Sequence, residues 1–376
     1  MSERSSAFRY AHASGGNATS LVADCLGQIG AVADNANLGF LYATDSLAHS
    51  LDDILLALKA STGIEQWTGT VGIGICATGV EYYDQPALAI MLGEFLEDSL
   101  FDVPLLTDDV SDFVESSRSW LSQDVFHFGI VHADPTQSKA PELLDTLSNE
   151  VPGAFLVGGF ASSSSRNALV ANDVVDGGLA GVLFRSDIAV ATGHSQGCEP
   201  IAAQHTITAC QHNVIVEIDE RPALDVFKED IGEVLAKEIE RVAGYIFAAL
   251  PIRGSDTGDY LVRNLVGIDR EQGLIAIGDT VEPGDSIMFC RRDGNSARED
   301  MQRMLDDIAD RLPGEPRGAI YYSCLARGRH QFGDNAEELR MIEDKFAGMP
   351  LVGFFANGEI FHNRLYAYTG VLSVFY

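Results

Sequence analysis

Two nearly identical stretches decide the fold: Leu156–Ala161 reads LVGGFA and Leu351–Ala356 reads LVGFFA. A short apolar run precedes each of them, FHFGIV at Phe126–Val131 and AIYYSC at Ala319–Cys324. Runs of this length and composition are typical of buried strands. A helix fits between the two runs in both places, so the pattern predicts a repeated strand–helix–strand unit.

The repeat continues after these strands. AGVL at Ala180–Leu183 matches TGVL at Thr369–Leu372, and the offset between the two copies stays nearly constant over the three matches. A weaker third copy is expected at Val71–Val80 (VGIGICATGV), followed by the apolar run ALAIML at Ala87–Leu92. Three matches in the same order favour true duplication over chance resemblance of strands rich in Gly and Val.

These patterns predict the α/β class with mixed sheets. Strands that are apolar on both faces must be covered on both sides. We therefore expect two pseudo-repeated α/β modules with stacked sheets and outer helices, in αββα-like layers. The boundary is expected near Gly193–Pro200, which gives modules of residues 1–195 and 196–376.

Composition excludes several partner classes. The chain has 376 residues and 46% hydrophobic content, with 25 Lys and Arg against 55 Asp and Glu, a net charge of -30. This charge repels nucleic acid and anionic membranes, so neither is expected as a partner. The sequence has no apolar run of about 20 residues and no secretory signal pattern. Its six well-separated cysteines are typical of reduced thiols, and we expect a cytoplasmic protein.

Ligands of α/β proteins usually bind beyond the carboxyl ends of the strands. The loops there are His132–Lys139, Ser162–Asn167, Leu325–Asp334 and Asn357–Asn363. The candidate ligand-binding residues are Ser162, Ser163, Arg166, Cys324, Arg327, Gly328, Arg329, Gly353, Asn357, Gly358 and Glu359. Arginines beside a glycine suit the capture of a carboxylate or phosphate. The alternative is that these arginines pair with the abundant acidic residues of the chain.

Other chemistries have weaker support. The sequence has no HExxH, GxSxG or phosphate-loop motif, and no Cys/His cluster for a metal. A haem would need one axial ligand, for which His132, His330 or His362 are the candidates. Cys324, close in sequence to two arginines, is the candidate nucleophile of a cysteine-dependent enzyme, although a cysteine that ends a strand is more often a small apolar residue.

Several motifs together resemble the FIST family. The motifs similar to its C-terminal module are SCLARGR (Ser323–Arg329), PLVGFFANGE (Pro350–Glu359), YTGV (Tyr368–Val371), SQGCEPI (Ser195–Ile201), Asn213–Ile218 and RPALDV (Arg221–Val226). Those similar to the N-terminal module are VGGFASSSS (Val157–Ser165) and Gly181–Phe184. Phe361 departs from the pattern at a position close to where many relatives have a proline.

The resemblance implies an intracellular sensory protein for signal transduction. FIST modules are regarded as sensors of small ligands, with amino acids suggested, and some bacterial members bind haem and respond to nitric oxide. We therefore expect a protein without a cofactor that binds a small anionic metabolite such as an amino acid and acts through a separate partner such as a histidine kinase. A haem-based nitric oxide sensor and an enzyme that uses Cys324 are the alternatives.

Overall fold

The computed structural model describes residues 8–33, 35–237, 244–252 and 259–376. Contacts divide the chain into two compact units. Unit 1 comprises Met1–Ser195, Met301–Leu365 and Thr369–Tyr376, and unit 2 comprises Gln196–Asp300 and Tyr366–Tyr368. The modules predicted at residues 1–195 and 196–376 were defined by resemblance to the two family modules and not by contacts. That division stays a prediction.

The first part of unit 1 contains two successive runs of eight elements in the same order. The first run is β1 Arg9–Ser14, α1 Ala18–Ile29, β2 Leu38–Thr44, α2 Leu51–Thr62, β3 Gln66–Gly72, β4 Gly74–Ala77, β5 Val80–Tyr83 and β6 Ala87–Gly93. The second run is β7 Leu100–Leu106, α3 Ser111–Leu121, β8 His127–Ala133, α4 Ala140–Glu150, β9 Ala154–Phe160, β10 Leu169–Ala171, β11 Asp173–Val175 and β12 Leu179–Arg185. Short 3-10 helices span Asp45–Ser50 and Glu97–Ser99.

A third run begins with β13 Val190–Gln196 and resumes after an insertion. The inserted elements are β14 Cys198–Pro200, β15 His205–Gln211, β16 Val214–Ile218, β17 Arg221–Pro222, α5 Ala223–Lys237, β18 Ile246–Pro251, β19 Tyr260–Asp269, β20 Leu274–Ile277 and β21 Ser286–Arg292. The third run then continues with α6 Gly294–Arg311, β22 Gly318–Cys324, α7 Arg329–Phe332, α8 Glu337–Lys345, β23 Leu351–Ala356, β24 Glu359–His362, β25 Arg364–Tyr366 and β26 Thr369–Phe375.

Strand pairing repeats in the three runs, which we call repeats 1, 2 and 3. The parallel pairs are β2 with β3, β8 with β9, and β22 with β23. In each repeat the last strand then pairs antiparallel with the first member of the parallel pair. The hairpins cross between repeats, because β4 pairs with β23, β10 with β3 and β24 with β9. Each sheet of unit 1 therefore includes strands from two repeats.

The three sheets of unit 1 share one core. Phe40, Phe128 and Tyr322, one from each repeat, belong to the same buried cluster. The opposite face of each sheet packs on the helices of the repeat that supplies its parallel strand pair. These contacts form three separate clusters. The arrangement confirms the predicted mixed α/β class with stacked sheets and outer helices.

A glycine marks the same position in the second strand of each parallel pair. A Cβ atom at Gly69, Gly158 or Gly353 would collide with the backbone carbonyl oxygen of the strand alongside. Those carbonyl groups belong to Leu41, Val131 and Tyr321, respectively. The backbones of two neighbouring strands can approach this closely only where no side chain lies between them.

These glycines correct the position of the third copy. The expected copy at Val71–Val80 runs over the end of β3 and into the β4–β5 hairpin. The strand equivalent to LVGGFA and LVGFFA is instead Gln66–Gly72, which contains Gly69. The predicted duplication is therefore part of a triplication.

Unit 2 is built from antiparallel strands that close on themselves. β21 pairs with both β15 and β18, and the chain of pairings through β16, β20 and β19 completes a six-stranded ring. Its core includes Ile215, Ile275 and Phe289, and Phe227 of α5 packs into the same cluster.

Candidate functional site

Two of the four predicted loops, Ser162–Asn167 and Asn357–Asn363, meet at the carboxyl ends of the parallel strands. The Ser162 hydroxyl donates to the Phe355 carbonyl at 2.6 Å and accepts from the Ile73 N–H at 3.0 Å. The Asn357 N–H donates to the Phe160 carbonyl at 2.9 Å. Because these contacts join loops of all three repeats, the structure brings the loops after β3, β9 and β23 together.

Arg327 is fully buried and paired with Glu338. Its Nε lies 2.8 Å and its terminal nitrogen 2.7 Å from Glu338 Oε1. Glu338 Oε2 accepts hydrogen bonds from the Gly328 N–H at 2.9 Å and from the Ser323 hydroxyl at 3.0 Å. The Tyr321 hydroxyl donates to Oε1 at 2.7 Å. Arg327 and the Gly328 N–H were predicted to bind an anionic ligand. In the structure both bind the carboxylate of Glu338 instead.

Arg329 lies near the surface beside this pair. Its guanidinium is 2.7 Å from Asp84 and stands over the Tyr83 ring at 4.3 Å. The Tyr83 hydroxyl donates to Glu81 at 3.3 Å. Burial, together with the nearby charge of Glu338, raises the pKa of Glu81 to about 7. This is a partly exposed group of charges in which Arg329 already has an acidic partner.

Glu359 is a buried carboxyl group in an otherwise apolar position. Its Oε2 accepts hydrogen bonds from the Thr369 N–H at 3.1 Å and hydroxyl at 2.8 Å, while the enclosed Oε1 makes none with the described residues. Burial raises its pKa to about 8, and the Cys324 thiol is close enough to interact with it. Pairing registers show that Ile75 and Leu169 take the equivalent position in repeats 1 and 2.

The Ser-rich loop after β9 is held by its own contacts. Arg166 makes two hydrogen bonds of 2.7 Å with Asp176 and a third of 3.0 Å with Asp52. The Ser163 hydroxyl accepts hydrogen bonds from the N–H groups of Ser165 and Arg166. Arg166 is therefore paired with acidic residues of the chain, as Arg327 is. The binding of a ligand by Arg166 and Ser163 stays a prediction.

The remaining predicted residues have different settings. Gly353 permits the close approach of β23 to β22, as described above. Gly358 has a φ of 115°, a conformation that favours glycine, and its carbonyl accepts a hydrogen bond from the Phe160 N–H at 2.9 Å. These contacts shape the loop, and they leave the predicted ligand contacts of both glycines untested.

The three candidate haem ligands occupy unrelated surroundings. His132 is fully buried, with Nε2 3.2 Å from the Tyr42 hydroxyl, and burial lowers its pKa to about 3. The Tyr42 hydroxyl also lies 3.0 Å from that of Tyr322. His330 and His362 are exposed. None of the three is among the described lining residues of the cavity described next, and the haem alternative stays a prediction.

A cavity of about 170 Å³ lies at the other end of the shared core. Its described lining residues are Phe8, Glu94, Phe95, Leu96, Ser99, Asp187, Ile188, Ala189, Arg317, Phe375 and Tyr376. The Arg317 guanidinium stands over the Phe8 ring at 4.9 Å and donates to the Glu94 carbonyl at 3.2 Å. Arg317 precedes β22, whereas Cys324 ends it, so the cavity and the predicted loops lie at opposite ends of that strand.

Sequence reasoning missed this cavity because its residues are scattered along the chain. The rings of Phe8, Phe95 and Phe375 pack mutually with centroids 5.3 to 5.6 Å apart. They come from the start of repeat 1, the segment after β6 and the end of β26. The available signal was Arg317, a basic residue directly before an apolar strand in a chain with few basic residues.

Comparison with known proteins identifies the family. The FIST N domain model matches residues 37–221, and the FIST C domain model matches residues 223–362. The chain belongs to the FIST family, whose domains are associated with sensory signal transduction.

The chain also resembles mycobacterial proteins along most of its length. A protein of Mycobacterium tuberculosis described as uncharacterized is 30% identical over 352 residues, which cover 90% of this chain and 91% of that protein. A protein of Mycobacterium bovis, also described as uncharacterized, is 27% identical over 335 residues, 86% of each chain.

None of the helices described is long and apolar enough to cross a membrane. Within the same residues, no group of three or more His, Cys, Asp or Glu side chains is arranged to hold a metal ion.

Proposed function

We propose that this FIST protein is a sensor that binds a small anionic metabolite, such as an amino acid, in the cavity at the Arg317 end of the shared core. The observation that supports it is the composition of the cavity wall, in which aromatic rings meet one cationic side chain. Ligand sites are typically apolar concavities with a few charged groups that fix orientation. A further proposal is that the signal passes to a separate partner, such as a histidine kinase in the cytoplasm.

The wall supplies a partner for each part of an amino acid. Arg317 suits the carboxylate, since its planar guanidinium can donate two parallel hydrogen bonds. The rings of Phe8, Phe95 and Phe375 suit an apolar side chain. The carboxylates of Glu94 and Asp187 suit an ammonium group. A volume of about 170 Å³ is well below the about 300–1,000 Å³ of pockets for drug-sized ligands, which favours a metabolite of amino-acid size.

The loops at the opposite end remain a second candidate position. Arg327 and the Gly328 N–H bind the Glu338 carboxylate there, which supports a position for a group of this kind. A ligand would have to replace Glu338, because that side chain occupies both donors. We place the ligand in the cavity because its aromatic rings supply an apolar surface beside an arginine.

The experiment is a thermal-shift and calorimetric screen of amino acids and small carboxylates against the whole chain. A ligand at about a hundred times its Kd stabilises the folded state by about 2.7 kcal/mol, which a melting curve detects. Arg317→Met keeps an unbranched side chain of similar length and removes the charged guanidinium group. Losing charge-assisted hydrogen bonds of about 1.5–3 kcal/mol weakens binding about ten- to hundredfold.

Two variants serve as controls. Arg317→Lys retains the positive charge and should bind more tightly than Arg317→Met. Arg221→Met removes an arginine of unit 2 that is paired with Glu229 and should leave binding unchanged. If a ligand binds the wild type and Arg317→Met equally well, the cavity is not the site.

A further inference from the structure

Cys324 differs from the other described cysteines in its surroundings. It is the last residue of β22 and is 8% exposed, against 5% for Cys198, whereas Cys25, Cys76 and Cys290 have no exposed surface. Cys210 of unit 2 is more exposed than Cys324, and its sulfur lies 3.2 Å from the Val281 carbonyl. Exposure alone therefore predicts that Cys210 reacts first.

Beside Cys324 lies the buried carboxyl group of Glu359. Thr369 donates only to Oε2, and the Cys324 thiol is a further donor that acts on this carboxyl group. Oε1 is enclosed and accepts no hydrogen bond from a backbone or hydroxyl donor of the described residues. A buried oxygen left in this state costs stability. The equivalent positions in the other two repeats hold Ile75 and Leu169, so an aliphatic side chain fits the same place in the fold. A costly carboxyl group in one repeat out of three indicates a role beyond packing.

Arg327 also acts on this pair. Its charge acts on Glu359 and favours the carboxylate form, although its hydrogen bonds go to Glu338 and Ser195. The Cys324 thiol is the other titratable group that faces Glu359.

We propose that Cys324 is a modification site for small, neutral electrophiles of the α,β-unsaturated carbonyl class, with Glu359 as the proton acceptor. The Glu359 carboxylate takes the proton of the Cys324 thiol, and the sulfur forms a bond with the β-carbon of the electrophile. The electron pair of the carbon–carbon double bond moves to the α-carbon, which then takes the proton back from Glu359. The product is a thioether, no group leaves, and no oxidant is needed.

The surroundings favour a neutral and compact electrophile. The Glu359 carboxylate that accepts the thiol proton disfavours the approach of an anion to the same place. The small exposed fraction of Cys324 admits a small molecule more readily than a large one.

The test uses acrylamide as the probe on the native full-length chain, with peptide mass spectrometry to measure the labelling rate of each cysteine. We expect Cys324 to be labelled before Cys210, in spite of its smaller exposure. Labelling of Cys210 first, at pH 8, would overturn the proposal.

Glu359→Gln is the decisive variant, because the amide can still accept from Thr369 but cannot take a proton. We expect the rate at Cys324 to fall about tenfold or more, as for the loss of a general base. In the wild type the rate should rise as Glu359 loses its proton near pH 8, and this inflection should be absent from the variant. An unchanged rate and pH profile would contradict the assignment.

Two further measurements separate chemistry from a loss of structure. Glu81→Gln removes another partly buried carboxyl group of unit 1 with a raised pKa, and it should leave the labelling of Cys324 unchanged. The labelling rate of Cys210 reports on folding, and we expect the same value in all variants. A Glu359→Gln protein with faster labelling at every cysteine would show unfolding. Glu359→Ile, which introduces the side chain that repeat 1 has at Ile75, then provides a packed form without the carboxyl group.

Discussion

At the scale of single residues, the Arg327–Glu338 pair shows how a sequence pattern can have two meanings. An arginine beside a glycine suits an anionic ligand, and it equally suits a carboxylate from the same chain. Glu338 lies on α8, eleven residues away, and both side chains are buried. The sequence around Arg327 does not reveal whether its carboxylate partner comes from a ligand or from Glu338.

Removing one partner of this pair should be strongly destabilising. Glu338→Ala leaves Arg327 charged, buried and without its main acceptor, and we expect a loss of about 3–5 kcal/mol in the free energy of unfolding. Urea denaturation monitored by fluorescence measures this loss. Glu229→Ala, which breaks the exposed pair with Arg221, should have little effect. Equal stabilities of the two variants would show that the buried pair contributes no more than a surface one.

At the scale of elements, three strands depend on one glycine each. β3, β9 and β23 lie so close to their parallel partners that a Cβ atom at Gly69, Gly158 or Gly353 has no room. The repeat signal LVGGFA and LVGFFA therefore records a steric requirement of the strand pair. In β3 the same steric requirement is met by Gly69, although the neighbouring residues differ from those in the other two strands.

Gly158→Ala should disrupt the β8–β9 pair. The new Cβ meets the Val131 carbonyl, and the φ of 146° at this residue also disfavours a side chain. Such overpacking should cost about 3 kcal/mol or more, and circular dichroism during thermal unfolding measures it. Gly314→Ala is the matched control, because a Cβ there meets no atom within 4 Å. A Gly158→Ala protein as stable as the control would contradict the close approach.

At the scale of the whole molecule, the three repeats of unit 1 contribute equivalent side chains to one polar cluster. Tyr42, His132 and Tyr322 follow Leu41, Val131 and Tyr321, the residues that face the three glycines. The Tyr42 hydroxyl contacts both of the other members, at 3.2 Å and 3.0 Å. This cluster lies among apolar residues, so these contacts satisfy the two hydroxyls and His132 Nε2, while His132 Nδ1 makes no hydrogen bond with the described residues.

Tyr42→Phe should cost more stability than Tyr322→Phe. The first variant deprives both His132 Nε2 and the Tyr322 hydroxyl of their contact, whereas the second leaves Tyr42 bonded to His132. A buried polar group without a partner costs about 1–3 kcal/mol, so the two variants should differ measurably in denaturation midpoint. The reverse order would show that Tyr42 is not the central member.

The sequence by itself determined the α/β class, the FIST family and the relation between repeats 2 and 3. Local patterns sufficed because short buried strands and their glycines are encoded by neighbouring residues. It located repeat 1 only approximately, since a glycine within a buried strand is all that β3 keeps of the shared pattern. The inserted unit 2 also separates β13 from the rest of repeat 3 and hides their common origin.

Only the tertiary structure decided which charges meet and where a cavity lies. The sequence named Arg327 and Glu359, but the fold brought Glu338 to the first and the thiol of Cys324 to the second. It also brought Phe8, Phe375 and Arg317 to one cavity from distant parts of the chain. The physical reason is that periodicity reports which face of an element is buried, whereas contacts between elements depend on how the repeats exchange their hairpins and close around a common core.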